Sequence, residues 1–253
     1  MELAEDERSR FGTVAMLVAH VTGMLPYLNS TPALVPRQNA AACLARCNRL
    51  LAAMIQLQAS GYPDVVGLGA RPLLECWYLG MFLLVSPDEA MSVIGAAHKH
   101  QLRNLDESWG DVASSWDHIE VGMKSTSINW NNLSKRVGEL LRESGETGAD
   151  NTSKRLYEVL FRSESALSVH GGLGVFIGHV TGAGSPSLGI EEIREEPEED
   201  GSMRIRLAAA LVESLARAIA RKFGLSTYQI DQLGRRLFAE GAAEIAANND
   251  GQA

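Results

Sequence analysis

Between Pro72 and Ser86 the chain carries a single charged side chain. The run reads Leu73-Leu74-Glu75-Cys76-Trp77-Tyr78-Leu79-Gly80-Met81-Phe82-Leu83-Leu84-Val85. A helix this apolar is expected to be buried over most of its circumference. An unpartnered carboxylate in such surroundings is costly enough to be neutralised or paired. Arg71 lies one turn earlier, on the same face if the helix continues through Pro72. The helix either starts near Pro72, where a missing N–H is harmless, or is kinked by it. The pattern therefore predicts a buried Arg71–Glu75 pair, either an ion pair tying two helices together or part of a functional site.

The rest of the chain reads as helices separated by proline, glycine and polar turns. Ala and Leu are abundant and β-branched residues are spread thinly, which favours helix over sheet. A first helix is expected over about 8–25, stopping at Pro26, then a loop with Pro32 and Pro36. The next, about 39–60, sets Leu44, Leu51, Met54, Ile55 and Gln58 on one side and Arg46, Arg49 and Gln56 on another. Ser86-Pro87-Asp88-Glu89 has the pattern of a capping box and launches a helix to about Trp109. Residues 110–130 are the least regular. Helices over about 132–143 and 152–170 follow, the second extending in one reading to His179. Two last helices cover about 203–223, closed by Gly224, and 226–247, opened by a second box at Ser226-Thr227-Tyr228-Gln229. The expected fold class is all-α, a single multi-helix bundle of about seven helices over 1–253. Its core spans about 8–182, an acidic loop about 184–201 and a C-terminal helical pair about 202–247. Short strands around the loop remain open.

Charge and cysteine usage narrow the function. The formal charge is -8 with no basic block, which argues against tight non-specific nucleic-acid binding. Residues 191–200 are mostly acidic and read as a solvated loop, with a basic-partner or cation site as the other option. The three cysteines include one pair four apart, Cys43 and Cys47, and no second pair to complete a common zinc site. They read as small buried hydrophobes in a reducing compartment. Neither a metal nor another cofactor is expected. The opening Met1-Glu2-Leu3-Ala4-Glu5-Asp6-Glu7 is acidic, unlike a secretory signal, and neither the apolar stretch from Phe11 to Leu28 nor that from Ala166 to Gly184 reads as a membrane span. A cytoplasmic protein is expected.

A second polar candidate lies far along the chain. Leu156, Leu160, Ser163, Leu167, His170 and Gly174 alternate in steps of four and three, which places His170 on a core-facing stripe. Ser168 falls on the neighbouring stripe, and Gly171-Gly172 leave room for another group to approach His170. His170 is either a satisfied core histidine or a site residue. Gly174, Gly178 and Gly182 lie four apart, which suits close helix packing in the core or at a homodimer contact. Motifs for metalloproteases, phosphate-binding loops, nucleophile elbows and di-iron helices are missing.

The Arg71-x-Leu73-x-Glu75 helix, followed by Leu167-Ser168-x-His170-Gly171, resembles an uncharacterised bacterial all-helical family with an Arg-x-x-x-Glu helix and a later Ser-x-His helix. The likeness covers about 38–179. It implies an all-helical domain and marks Arg71, Glu75, Ser168 and His170 as ligand-binding candidates. The chain also resembles, more weakly, the HEPN helical ribonucleases, which assemble an Arg and a following His across a dimer. Here Arg162 precedes His170 with seven residues between, and Ser163 stands where that family has Asn. That resemblance implies metal-independent RNA cleavage in a defence or toxin setting, with His170 as acid or base and Arg162 stabilising the phosphorane. The first reading, a helical binding or interaction protein for a small ligand, needs no nucleic acid.

Overall fold

The structure is a computed structural model that describes residues 11–63, 65–109, 127–143, 180–181, 192–193 and 201–250. The protein is an all-α bundle, with seven helices among the described residues. They are α1 (Gly12–Ser30), α2 (Val35–Ala59), α3 (Gly67–Val85), α4 (Pro87–Trp109), α5 (Trp130–Glu143), α6 (Ser202–Phe223) and α7 (Tyr228–Asp250). A two-residue antiparallel pair joins β1 (Val180–Thr181) to β2 (Glu192–Ile193), and β2 lies within the acidic stretch.

Helix α3 is the hub. It packs against α2, α4, α5 and α6, while α2 also packs against α1 and α6. Helix α7 closes the bundle against α6 and α1. Among the described residues α3 is the one helix apolar and long enough to cross a bilayer, and packing within the bundle accounts for its composition. Leu73, Leu74, Tyr78, Phe82 and Leu83 are all but fully buried. Gly80 sits where α3 meets two helices at once. A Cβ built there would lie 2.9 Å from Leu215 Cδ1 of α6 and 3.2 Å from Cys43 Cβ of α2.

The apolar stripes obey helical spacing. Val14, Leu17, Val21, Met24 and Leu28 bury one face of α1, and Leu133, Val137 and Leu141 one face of α5. On α2, Leu44, Leu51, Met54 and Ile55 are buried, while Arg46, Arg49 and Gln56 are exposed as expected. Gln58 is half-buried, and its Oε1 accepts from Gly201 N at 3.1 Å.

Two boundaries differ from the sequence expectation, and at Pro72 the structure decides between the two readings left open. Helix α1 runs through Pro26 to Ser30. The proline forfeits one backbone bond, but Leu28 beyond it is buried and holds the final turn in place. Pro36 lies in the first turn of α2, where its missing N–H has no helical partner to lose. Helix α3 begins before Pro72 and continues through it.

The two polar junctions are tight. Ser86 closes α3 by donating its N–H to Phe82 O at 2.9 Å, and its own carbonyl accepts from Ala90 N at 2.9 Å. Because that N–H is already used, Glu89 cannot complete a reciprocal capping box. Instead Ser86 Oγ donates to Glu89 Oε2 at 3.1 Å. Gly224 closes α6 in the left-handed region, φ 70°, where a side chain would be strained. At the start of α7 the polar pair is Thr227 with Asp231, Oγ1 to Oδ2 at 2.9 Å, rather than the box expected between Ser226 and Gln229.

Candidate functional site

The helix through Pro72 brings Arg71 and Glu75 together, Nε to Oε1 at 3.2 Å. Their side chains keep 23% and 27% of their exposure, so the pair sits at the edge of the core rather than inside it. Pro72, Cys76 and Leu79 are also half-buried. Together these residues form a partly exposed stripe on a helix whose other positions are mostly sealed, which corrects the expectation of a deeply buried pair. Ser168, His170 and Arg162 lie outside the described residues, as do Gly174, Gly178 and Gly182.

Cys76 gives this stripe neighbours that chain spacing does not reveal. Cys43 and Cys47, one turn apart on α2, both face α3, Cys43 against Gly80 and Cys47 against Leu73. Cys47 Sγ donates to Leu73 O at 3.5 Å, and the Cys47 and Cys76 thiols are within hydrogen-bond reach of each other. That bond holds the Cys76 thiol below its ordinary value against the effect of burial; Arg46 adds to the lowering and Glu75 opposes it. The Cys47 thiol moves the opposite way, raised by the same bond and by burial. Burial, with Cys76 nearby, pushes Cys43 up to about 12. Among the described residues no group of three or more His, Cys, Asp or Glu side chains is arranged to hold a metal ion.

Helices α4 and α5 enclose a cleft of about 430 Å³. Phe82, Val93, Ala96, Ile128 and Leu133 supply apolar wall, and Ser92, Asn132, Glu89 and Arg136 supply polar groups. Glu89 and Arg136 are locked as a fork: Nε to Oε1 at 3.1 Å, Nε to Oε2 at 3.3 Å and Nη2 to Oε2 at 3.1 Å. Arg136 Nη1 also reaches Glu139 Oε2 at 3.5 Å. Asn129 caps α5 by accepting from Asn132 N at 3.1 Å. The Arg136 bonds hold the Glu89 carboxyl below its ordinary value of 4.5 against the effect of burial, with the Ser86 hydroxyl helping.

A folded value below the unfolded one means that this pairing stabilises the fold above pH 4.5 and is lost as pH falls through the depressed value. Urea unfolding of Arg136→Gln at several pH values is expected to show a shallower stability loss on acidification than the parent. Parallel pH profiles would count against the linkage.

A third polar group joins α6 to α7. Glu213, buried at 7% exposure, pairs with Arg217 one turn on, and Arg217 Nε meets Asp231 Oδ1 of α7 at 3.0 Å. Sequence reading passed over Glu213, although it interrupts the apolar run Leu211-Val212-x-Ser214-Leu215-Ala216 much as Glu75 interrupts its own. Compared with known proteins, the chain matches no family model, no curated protein and no solved structure.

Proposed function

We propose that this chain is a helical-bundle binding protein, acting in the cytoplasm, that takes a small amphipathic ligand in the cleft between α4 and α5. The observation that carries the reading is the cleft itself. Its volume of about 430 Å³ falls in the range that holds small molecules, and an apolar wall meets a fixed guanidinium–carboxylate fork and an Asn132 amide. The ligand this chemistry suits has an apolar body against Phe82, Val93 and Leu133 and a hydrogen-bonding or anionic head near Arg136 and Asn132. The cleft is favoured over the Arg71–Glu75 pair as the ligand site. Both ion pairs are internally matched, but beside the Glu89–Arg136 pair the cleft adds room for a ligand.

Octanoate is the probe. Titrated into the full chain, it is expected to raise the melting temperature in a saturable way, since a ligand bound only to the native state stabilises it by mass action. Val93→Trp fills the cleft and removes the shift. Arg136→Gln weakens binding by about tenfold, the loss of roughly one charge-assisted hydrogen bond. A shift that survives Val93→Trp, or none with octanoate, decylamine and decanol alike, sinks the reading.

A further inference from the structure

We propose that the seam between α6 and α7 is a docking groove for an acidic amphipathic helix of another protein. The two helices pack against each other on either side of the turn at Gly224. Their outer surface carries two hollows that share Phe238 as a wall. The first, about 310 Å³, is apolar, with Met203, Leu207, Leu237 and Gly241 among its walls. The second, about 510 Å³, is bordered by Arg217, Asp231, Gly234 and Arg235. Gly234 and Gly241, one in each hollow, lie two turns of α7 apart, about 10 Å. Phe238 is 82% exposed and Met203 is 55% exposed. An aromatic ring left in water beside an apolar hollow is surface that a partner's apolar side chains would cover.

Charge selects the partner. The chain carries -8 in total, yet between 202 and 243 seven Lys and Arg stand against three Asp and Glu. All three acids are answered within the fold: Glu213 and Asp231 pair with Arg217, and Glu240 meets Arg206 and Thr13. The exposed charged side chains of that span are Arg221, Lys222, Arg235 and Arg236, every one a cation. Arg235, on the wall of the second hollow, has no ion pair among the described residues. A helix laid along the seam would seat an apolar side chain in the first hollow, against Phe238. One or two turns further on, its carboxylates would meet Arg235. A second copy of this chain fits less well, because a two-fold contact presents the same patch twice and sets these cations against themselves. A nucleic acid gains little from an apolar hollow and is repelled by the overall negative charge. A flat bilayer surface reaches Phe238 but not the floor of a hollow.

The probe is a fluorescein-labelled synthetic peptide of about four helical turns, with Leu and Trp on one face and Glu on the other. Titrated with the full chain and read by anisotropy, it is expected to bind saturably, and a twin with Lys in place of Glu is expected not to bind. Added salt weakens the complex, because charges at the rim of an interface are screened. Arg235→Glu, a change at an exposed position, weakens it by about tenfold or more. A Cβ added at Gly241 meets nothing within 4 Å, so Gly241→Trp fills the first hollow with the fold intact, and it abolishes binding. Unchanged circular dichroism confirms that the fold is kept. Val93→Trp, which fills the cleft between α4 and α5, leaves peptide binding as it was and separates the two sites. The proposal is overturned if the acidic peptide fails to bind up to about 1 mM, if the Lys twin binds equally, or if binding survives Gly241→Trp. It is equally overturned if sedimentation shows a dimer that Gly241→Trp dissociates, or if oligouridylate or phosphatidylserine vesicles displace the peptide.

Discussion

Trp77→Ala is expected to cost about 3–5 kcal/mol, the range for removing a large aromatic from a packed core. The indole is 5% exposed on the face of α3 that meets α6, with its edge against Tyr78 at 5.1 Å between ring centroids. Its Nε1 donates to Ser214 Oγ at 2.9 Å, and Ser214 in turn donates to Leu211 O at 2.9 Å. Truncation removes the ring volume and the hydrogen bond together, at the interface where α3 and α6 are already pressed close by Gly80 against Leu215. For a chain of this size the melting temperature is expected to fall by roughly 6–20 °C. Ser214→Ala separates the two contributions. It keeps the ring but leaves a buried indole N–H without its acceptor, for about 1–3 kcal/mol. Urea unfolding at constant m-value measures both. If Trp77→Ala costs no more than Ser214→Ala, the ring volume contributes nothing beyond the hydrogen bond.

Which parts of this architecture were legible in the sequence follows from where the information sits. Punctuation that acts within one turn was readable: Ser86-Pro87 splits α3 from α4, and Gly224 ends α6. Periodicity on α2 named its buried and exposed faces correctly because both faces are spelled out in one segment. Prolines misled, because whether a proline stops a helix depends on what holds the residues beyond it. Leu28 is anchored in the core, so α1 outlasts Pro26. The pairing of Arg71 with Glu75 was legible as a one-turn spacing, but its depth was not. Exposure along α3 depends on which neighbours cover Pro72, Cys76 and Leu79. The convergence of Cys76 on Cys47, and the Glu89–Arg136 fork across the cleft, join residues far apart in the chain. No local pattern encodes them.

The same logic makes Glu213 the residue whose environment most rewards a test. Desolvation raises its carboxyl above the ordinary value of 4.5, opposed by the charge and hydrogen bond of Arg217 and reinforced by Asp231. Gly234 of α7 packs directly over it; a Cβ there would fall 2.7 Å from Glu213 Oε1. Arg217→Met leaves the carboxylate without its counter-charge in a space that water enters poorly. Orphaning a buried charge costs about 3–5 kcal/mol, and the partial exposure of Arg217 places the expected loss near 3 kcal/mol at neutral pH. The sign of the pH dependence is fixed. A carboxyl with a raised folded pKa stabilises the fold below its unfolded value and loses that contribution as pH rises through the folded one. Without Arg217 the folded value rises further, so the deficit of the variant against the parent is expected to shrink steadily as pH is lowered from 7 toward 4.5. Adding Glu213→Gln removes the titrating group and is expected to make the remaining deficit independent of pH. Urea unfolding of both variants across that interval provides the measurement. A single-variant deficit that stays constant with pH would show that Arg217 serves Asp231 and the packing of α7, with no share in holding the Glu213 charge.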